Sequence, residues 1–311
     1  MKDYIYPLKL SPFLKRTIWG GQRLSKKFGK PPINALGETW ELSARDNESS
    51  IISNGPCAGM KFSEYVDTYT DISSNEFPLL IKFIDAEDRL SVQVHPDDVD
   101  ALRLGLPRGK TEMWYILDAD EDSSIVYGLK RGETTVSLRN AVQNGRTDEV
   151  LNYVKVRKGD IYFIPGGLVH AIGKGIVIAE IQQNSDTTFR LYDYDRSDAS
   201  GQKRPLHVNE AIKCTKSFSD RISSFESKEE KDRRLLCSCE YFAVSQIDVC
   251  DSIEISTGEF PFISLLCISG KGIITWNGGD ILISAGDSFY IPGSLQTFSL
   301  SGQMSLIYTT T

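Results

Sequence analysis

The chain has 311 residues, of which 42 are acidic, 35 are lysine or arginine and three are histidine, giving a formal net charge of −7. Hydrophobic residues make up 40% and charged residues 25%, the proportions of an ordinary folded protein with a core of normal size. The acidic balance and the lack of any long lysine or arginine run exclude the basic face that a nucleic-acid partner requires.

Three features of the sequence bear on its compartment. The first 16 residues contain no apolar stretch of the kind found in a secretory signal peptide. No apolar run of about 18 residues occurs, so no membrane span is predicted. The six cysteines form no Cys-x-x-Cys pair and no regular framework, which is typical of reduced thiols rather than of a disulfide scaffold. We therefore expect a cytoplasmic protein.

Short runs of β-branched and aromatic residues dominate the chain, and glycine, aspartate, asparagine or proline separates most of them. The predicted strands cover residues 77–85, 113–117, 124–127, 160–165, 175–183, 241–249, 260–268, 272–276 and 279–283. Many short strands with regular turn signals are typical of a β-sandwich or a β-barrel.

Helix signals are fewer. A short helix is predicted after Pro96, with acidic residues in its first turn and Gly105 at its end. Residues 136–154 can hold two short helices separated at Asn144-Gly145, and residues 208–216 can hold another. The polar stretch that follows predicts a connection at 216–235 between a domain at 1–215 and a domain at 236–311.

An internal repeat supports this division into two β units. Residues 159–170 read GDIYFIPGGLVH and residues 286–297 read GDSFYIPGSLQT, so that glycine, aspartate, isoleucine and proline align. Repeated supersecondary units indicate repeated architecture. The copies differ at the last position, where His170 corresponds to Thr297. We therefore expect a metal in the first unit and none in the second.

Two of the three histidines fall where they can share a metal site. Gln93 and His95 alternate along a predicted strand and so share one face. Glu112 opens another strand, and His170 ends the repeated segment. Two imidazoles, a carboxylate and a weak amide oxygen suit an open Zn²⁺ site, although the same donors would also suit Fe²⁺ or Mn²⁺. Taken singly, a buried histidine is more often a hydrogen-bonded core residue than a metal ligand, Glu112 could be a surface carboxylate and Gln93 could point outward from its strand. His207 is expected to precede a helix and is left out of the site.

The sequence resembles the type I mannose-6-phosphate isomerase family in its short bacterial form. The segments that carry the resemblance are residues 12–13, 18–21, 37–44, 77–82, 90–98, 109–115, 159–170 and 180–196. The pattern G-x5-P-x-G-x2-H that ends at His170 is the second cupin motif, whereas the first is only loosely present, because Gln93-Val-His95 replaces His-x-His. The resemblance implies a mainly β fold of tandem cupin barrels (double-stranded β-helix or jelly-roll barrels) with a few short helices.

The resemblance also implies a reaction and a cofactor. The reaction interconverts mannose 6-phosphate and fructose 6-phosphate by proton transfer through a cis-enediol. The cofactor is one zinc ion per chain, held by Gln93, His95, Glu112 and His170. Ile172 stands where longer members of the family carry a tyrosine, so that polar contact is not carried over to this chain.

The resemblance further implies an essential arginine at Arg190 and substrate-site positions at Lys110, Glu180, Arg196 and Ser91. Glu180 lies on a predicted apolar strand face, where burial would raise its pKa and suit it to acid–base catalysis. The Arg190 guanidinium can bond an enediolate oxygen or the phosphate, and Lys110 and Arg196 are candidate phosphate cations. A zinc-bound hydroxide or Lys110 would be an alternative base. Each residue also has a purely structural interpretation, as an exposed carboxylate, a salt bridge or a solvated charge.

Two other functions stay open on the sequence alone. A cupin isomerase for glucose 6-phosphate would use the same types of residue with a different metal. A sugar-phosphate-binding protein without activity would keep the fold, but it has no need for an open metal site. A monomer and a homodimer are both compatible with the sequence.

Overall fold

The computed structural model describes residues 4–197, 200–216, 228–230, 233–258 and 260–311. Over these ranges the chain forms 21 β-strands and five α-helices, which confirms the prediction of a mainly β fold. No helix in the described ranges is long and apolar enough to cross a lipid bilayer. All six cysteines are free thiols.

The strands are numbered along the chain. They are β1 (Leu8–Ser11), β2 (Phe13–Gly21), β3 (Leu36–Leu42), β4 (Ile51–Ile52), β5 (Leu79–Ala86), β6 (Val92–Val94), β7 (Glu112–Ala119), β8 (Ser124–Leu129), β9 (Leu151–Lys155), β10 (Ile161–Ile164), β11 (His170–Ala171), β12 (Ile176–Gln183), β13 (Phe189–Tyr192), β14 (Lys228–Glu230), β15 (Arg233–Ser238), β16 (Ala243–Val249), β17 (Ser252–Ser256), β18 (Phe262–Trp276), β19 (Gly279–Ser284), β20 (Ser288–Pro292) and β21 (Thr297–Thr310). The helices are α1 (Arg23–Phe28), α2 (Phe62–Tyr69), α3 (Asp98–Arg103), α4 (Thr135–Gln143) and α5 (Val208–Cys214).

Two antiparallel sheets form the first β unit. One has the strand order β10-β7-β12-β5-β2-β3, and the other has the order β13-β6-β11-β8-β9. A buried cluster joins the facing sides of the two sheets, with Trp114 and Ile178 from the first sheet and Ile125 from the second. Side chains that alternate inward along these strands therefore meet between the sheets.

A third sheet of ten strands forms the second β unit. Its main path is β14-β15-β16-β21-β18-β20-β1-β4, with β17 paired to β21 and β19 paired to β18. The first strand of the chain belongs to this sheet, because Leu8 pairs with Tyr290 and Leu10 with Ser288. The chain thus begins in the sheet that it later completes. The domain boundaries given above stay a prediction.

Aromatic side chains fill the junction of the two units. Phe77, before β5, stacks on Phe262 of β18 with ring centroids 5.1 Å apart. Phe62 of α2 contacts Tyr290 of β20 at 5.0 Å. Both contacts lie in one buried cluster that draws residues from both ends of the chain, so the two units share a continuous core.

The two copies of the repeat adopt the same local structure. Gly159 and Gly286 have nearly equal positive φ angles, +92° and +93°, and each lies in the turn before a strand. The last residues of the copies, His170 and Thr297, each begin a strand. This agreement indicates that the sequence repeat reflects a repeated turn–strand–turn unit.

The helix predictions were confirmed in part. Helix α3 begins where expected, with the Asp97 carboxylate accepting a hydrogen bond from the backbone N–H of Asp100. Helix α4 also forms, and His207 precedes α5 as predicted. The second short helix forms only as a single 3-10 turn at Thr147–Glu149, after the break at Asn144-Gly145. The residues that follow favour strands, and they form β9, which pairs with β8.

Helices α1 and α2 were not predicted at all. They have six and eight residues, so each gives only about two turns of periodic pattern or fewer, which is a weak signal in a sequence. Of the predicted connection at 216–235, residues 217–227 and 231–232 lie outside the described residues, whereas 228–230 and 233–235 belong to β14 and β15.

Candidate metal centre and substrate cavity

Three buried side chains converge between the two sheets of the first unit. His95 follows β6, Glu112 begins β7 and His170 begins β11. Their ligand atoms all lie within 4.8 Å of one another. The Nε2 atoms of the two histidines are 3.2 Å apart, and Glu112 Oε1 is 3.2 Å from His95 Nε2. The structure therefore brings together the three residues predicted as principal ligands.

Backbone contacts fix the orientation of both imidazoles. His95 Nδ1 lies 2.8 Å from the carbonyl oxygen of Thr187, and His170 Nδ1 lies 2.8 Å from that of Leu168. A carbonyl oxygen can only accept, so each Nδ1 carries the proton and each Nε2 turns its lone pair toward the cluster. This second hydrogen bond is the arrangement that orients metal-bound histidines in general.

The protonation states of the cluster also suit a cation. Burial lowers the pKa of His95 to about 3, and it lowers the pKa of His170 as well. Burial alone would raise the pKa of Glu112, but the charge of Lys110 and the contact with His95 hold that pKa well below its usual value. Two neutral imidazole nitrogens and one carboxylate thus face a common point, and these residues fit a divalent metal ion.

Gln93 lies at the edge of this cluster. Its backbone is directly opposite His170 across the β6–β11 pair, so both side chains project from the same face. The Gln93 amide nitrogen is 3.4 Å from His170 Nε2. Amide oxygen and nitrogen exchange places when the group turns by half a rotation, so Gln93 can also present its oxygen to the cluster.

A cavity of about 950 Å³ opens beside the cluster. Among the described residues, its lining includes the cations Lys15, Arg16, Lys82, Lys110, Arg190 and Arg204 and the anions Glu38, Glu180 and Asp186. A local excess of cations on a protein with net charge −7 favours an anionic ligand at this place.

Glu180 lies on the cavity face of β12 and is only 3% exposed, which excludes the interpretation as an exposed carboxylate. The Trp114 indole N–H donates to Glu180 Oε1 at 3.0 Å and lies 3.1 Å from Glu112 Oε2. Lys82 Nζ is 3.3 Å from Glu180 Oε2 and 3.5 Å from Glu38 Oε2. Burial, followed by the negative charge of Glu112, raises the pKa of Glu180 to about 7.

Three other predicted residues also line the cavity. Lys110 is buried against the metal cluster, with Nζ 2.5 Å from Glu112 Oε1 and 3.2 Å from His95 Nε2. Ser91 Oγ donates to Gln93 Oε1 at 3.4 Å. Arg190 lies on β13, where it is directly opposite Gln93 in the neighbouring strand.

Arg190 is half-buried, and within the described part of the chain its Nε atom is buried without a hydrogen-bond partner. Burial, followed by repulsion from Arg204, lowers the pKa of Arg190. A buried donor that no protein group satisfies is expensive in a folded protein, so this nitrogen is a candidate for contact with a ligand.

Arg196 is the one predicted site residue that the structure brings neither to the metal cluster nor to the cavity lining. Its guanidinium bonds Asp193 at 2.7 Å and Asp88 at 3.2 Å. It also donates to the Arg89 carbonyl oxygen at 2.5 Å. These contacts hold the side chain away from the cavity lining.

Sequence reasoning missed several residues that do line the cavity, among them Lys82, Glu38, Trp40 and Arg204. A signal existed for Lys82, because a lysine within the apolar run FPLLIKFID is out of place unless it is paired inside the protein. Nothing in the sequence distinguishes Arg204 from a surface cation.

Comparisons with known proteins agree with this geometry. Residues 8–128 match the family model for the catalytic domain of type I phosphomannose isomerase, and residues 232–311 match the model for the mannose-6-phosphate isomerase cupin domain. The mannose-6-phosphate isomerase of Streptococcus mutans is 35% identical over 97% of this chain and 97% of its own length. Mannose-6-phosphate isomerase ManA of Bacillus subtilis is 37% identical over 97% and 98%, respectively.

A solved structure extends the similarity to the fold. The crystal structure of the mannose 6-phosphate isomerase from Bacillus subtilis matches with a TM-score of 0.90 and 32% identity, covering 98% of this chain and 99% of that one. The predicted cupin architecture is thereby confirmed. On this similarity over nearly the whole length, the chain belongs to the type I phosphomannose isomerase family.

Proposed function

We propose that this protein is an enzyme that interconverts mannose 6-phosphate and fructose 6-phosphate. One observation carries the proposal: the buried cluster of His95, Glu112 and His170 adjoins a cation-lined cavity that also contains Glu180, a carboxylate with a pKa of about 7. An aldose–ketose isomerisation needs an electrophile, a proton-transferring group and an anion site, and this cavity offers residues for all three. The relatives that bear this name support the proposal.

We propose one zinc ion per chain, held by His95, Glu112 and His170, with Gln93 as a fourth ligand. Two imidazoles and a carboxylate are a donor set that zinc favours at catalytic sites. When bound, zinc would act as a Lewis acid toward the sugar oxygens. The cytoplasmic location and the choice between monomer and homodimer remain predictions.

Glu180 is the proposed acid–base group. It removes the proton bound to C2 of the aldose and returns it to C1, because a pKa of about 7 allows both directions near neutral pH. Trp114 orients Oε1 by its hydrogen bond. Oε2 lies 3.3 Å from the Lys82 ammonium, which stabilises the charged carboxylate. Glu180 lines the cavity, so its carboxyl group can exchange a proton with a substrate bound there.

Arg190 and Lys110 are proposed to bind the substrate. Arg190 lies opposite Gln93 and lines the cavity, where its guanidinium can donate to the oxygen that gains negative charge. Lys110 is anchored by Glu112, so its charge stays next to the metal ligands. Ser91 lies at the same end and offers a hydroxyl.

The test measures conversion of mannose 6-phosphate to fructose 6-phosphate by the purified protein before chelation, after chelation and after zinc add-back. Activity that is lost and then restored is the expected result, with one zinc ion bound per chain. His170→Ala is expected to lose both the metal and the activity. The matched control is His207→Asn, which changes the one histidine outside the cluster and should keep its zinc.

Two outcomes would contradict the proposal in different ways. Turnover of glucose 6-phosphate but not of mannose 6-phosphate would keep the site and replace the substrate. No turnover by folded, zinc-loaded protein would refute the isomerase activity and favour a sugar-phosphate-binding protein.

A further inference from the structure

The three proposed zinc ligands lie where strands meet loops. His95 follows β6, Glu112 follows the loop 104–111, and His170 follows the loop 165–169. A metal site needs its ligands held to within about 0.5 Å of their working positions. Loops lack the regular hydrogen bonds of a sheet, so other contacts have to position these three residues.

Backbone hydrogen bonds join the three segments to one another. The Gly167 N–H, in the loop before β11, donates to the His95 carbonyl oxygen at 2.8 Å. The Lys110 N–H, in the loop before β7, donates to the Pro96 carbonyl oxygen at 3.0 Å. The segment that follows β6 is thereby bonded to both of the other segments, so a shift of this segment would move the ligands relative to one another.

The Asp98 carboxylate adds a second connection between two of these segments. Its Oδ1 accepts a hydrogen bond from the backbone N–H of Gly109 at 2.7 Å and another from the Gln183 side-chain amide at 3.1 Å. Gln183 Oε1 in turn accepts from the backbone N–H of Thr111 at 2.8 Å. Thr111 directly precedes Glu112. One carboxylate oxygen therefore ties the segment after β6 to the segment before β7 at two points.

The second β unit holds the other oxygen of this carboxylate. The Tyr241 hydroxyl donates to Asp98 Oδ2 at 2.7 Å. Tyr241 lies in the turn between β15 and β16, and its ring packs against the buried cluster that the two units share. The orientation of Asp98 is thus fixed from both units, by Gly109 and Gln183 on one side and by Tyr241 on the other.

We propose that Asp98 is a positioning residue of the metal centre and that Tyr241 of the second unit holds it in place. The inference rests on the proposed zinc site. Among the described residues, both lie outside the metal cluster and the cavity lining, so each acts through the segments that carry the ligands. Loss of either set of hydrogen bonds loosens these segments and weakens zinc binding, because outer contacts fix the geometry that metal ligands need.

The experiment measures the dissociation constant of zinc by competition with a chromophoric chelator, in folded protein stripped of metal. Asp98→Ala removes both acceptor oxygens, Asp98→Asn keeps one of them, and Tyr241→Phe removes only the bond from the second unit. Tyr115→Phe is the matched control, because it also removes a tyrosine hydroxyl that bonds across the two units, to Gln246 at 3.4 Å. Circular dichroism and urea unfolding of each metal-free variant establish that it is folded.

We expect Asp98→Ala to weaken zinc binding by about 10- to 100-fold, as loss of an outer contact of a metal site generally does, with Asp98→Asn intermediate. Tyr241→Phe should weaken zinc binding by about three- to tenfold, the effect of one hydrogen bond. Tyr115→Phe should leave it unchanged within about twofold. If Asp98→Ala does not fold, Tyr241→Phe is compared with Tyr115→Phe in the same way, and the same difference between them is expected.

Folded Asp98→Ala and Tyr241→Phe variants that bind zinc as tightly as the unaltered protein would overturn the inference and leave the zinc site in place. A loss in Tyr115→Phe as large as that in Tyr241→Phe would also overturn it, because the effect would then come from the junction of the two units as a whole. An unaltered protein that binds no zinc would refute the proposed metal centre itself, and the inference with it.

Discussion

Lys82 gives the sharpest test of the proposed acid–base chemistry. It lies on β5, buried, between Glu180 and Glu38. Burial lowers the pKa of Lys82, but the attraction of Glu180 and Glu38 outweighs burial and raises it, so the ammonium stays charged at every working pH. Lys82→Met keeps the apolar stem and removes this charge from beside the proposed base.

The size of the effect follows from the distances. An ammonium 3.3 Å from the Glu180 carboxylate lowers the pKa of that carboxyl by about 1 to 3 pH units. Without it, the pKa of Glu180 rises above its value of about 7. The acid limb of the profile of kcat/KM against pH should move up by at least about one pH unit, so that activity at pH 7 falls about fivefold or more and recovers as the pH is raised.

The assay is a pH–rate profile of the unaltered protein, of Lys82→Met and of the control Lys15→Met. Lys15 also lies over the Trp40 ring, 4.5 Å from its centroid, but its side chain is 39% exposed, so solvent screens its charge. Its removal should leave the acid limb in place. An acid limb that stays at the same pH in Lys82→Met would refute Glu180 as the proton-transferring group.

The same carboxyl affects stability. The pKa of Glu180 is about 7 in the folded protein and 4.5 for an unperturbed glutamate, so between these values the folded state binds more protons than the unfolded state. Stability from this group therefore decreases as pH rises from about 4.5 to 7 and then levels off. In Lys82→Met the decrease should continue above pH 7. Urea unfolding at pH 6 and pH 8 should show a larger deficit of the variant at pH 8.

Two further predictions concern stability. Lys30→Met should lower the free energy of unfolding, measured in urea, by about 3 to 5 kcal/mol, because it leaves Glu41 buried without the ammonium now 2.7 Å away. The control is Lys155→Met, which removes the exposed ion pair with Asp122 and should cause no measurable loss. Equal losses in the two variants would contradict the argument. Gly286→Ala should lower the melting temperature more than Gly159→Ala. Both glycines have φ near +92°, but only at Gly286 would an added Cβ meet a backbone oxygen, that of Phe28, at 2.0 Å. Equal melting temperatures for the two variants would show that backbone strain alone sets the cost.

The metal cluster was the most predictable part of the molecule. His95, Glu112 and His170 each begin or follow a strand, and the repeated Gly-Asp turn marks the start of the segment that ends at His170. Residue type and strand position are local properties, so a sequence displays them directly. The cluster could be predicted because its three residues are of types that bind metals and lie at recognisable ends of strands.

The remainder of the cavity could not be predicted in the same way. Arg196 and Arg204 lie eight residues apart in the same polar segment, yet only Arg204 lines the cavity. Both guanidinium groups bond Asp193, but Arg196 also bonds Asp88, which holds it away from the cavity. Such partners are set by the packing of distant segments, and a surface-like pattern of charges does not encode them.

The same limit applies to the relation between the two β units, and it bears on what the second unit does. Nothing local indicates that β1 pairs with β20, or that Lys30 donates to the carbonyl oxygen of Gly286 at 2.6 Å while it neutralises Glu41. Glu41 lies on β3, the strand that also carries Glu38 and Trp40 of the cavity wall. The turn at Gly286 corresponds to the turn at Gly159, which leads to His170 in the first unit. In the second unit the same turn therefore contacts β3 through Lys30, which bonds both Gly286 and Glu41. The copy of the motif that lacks the histidine thus still helps to position a strand of the cavity wall.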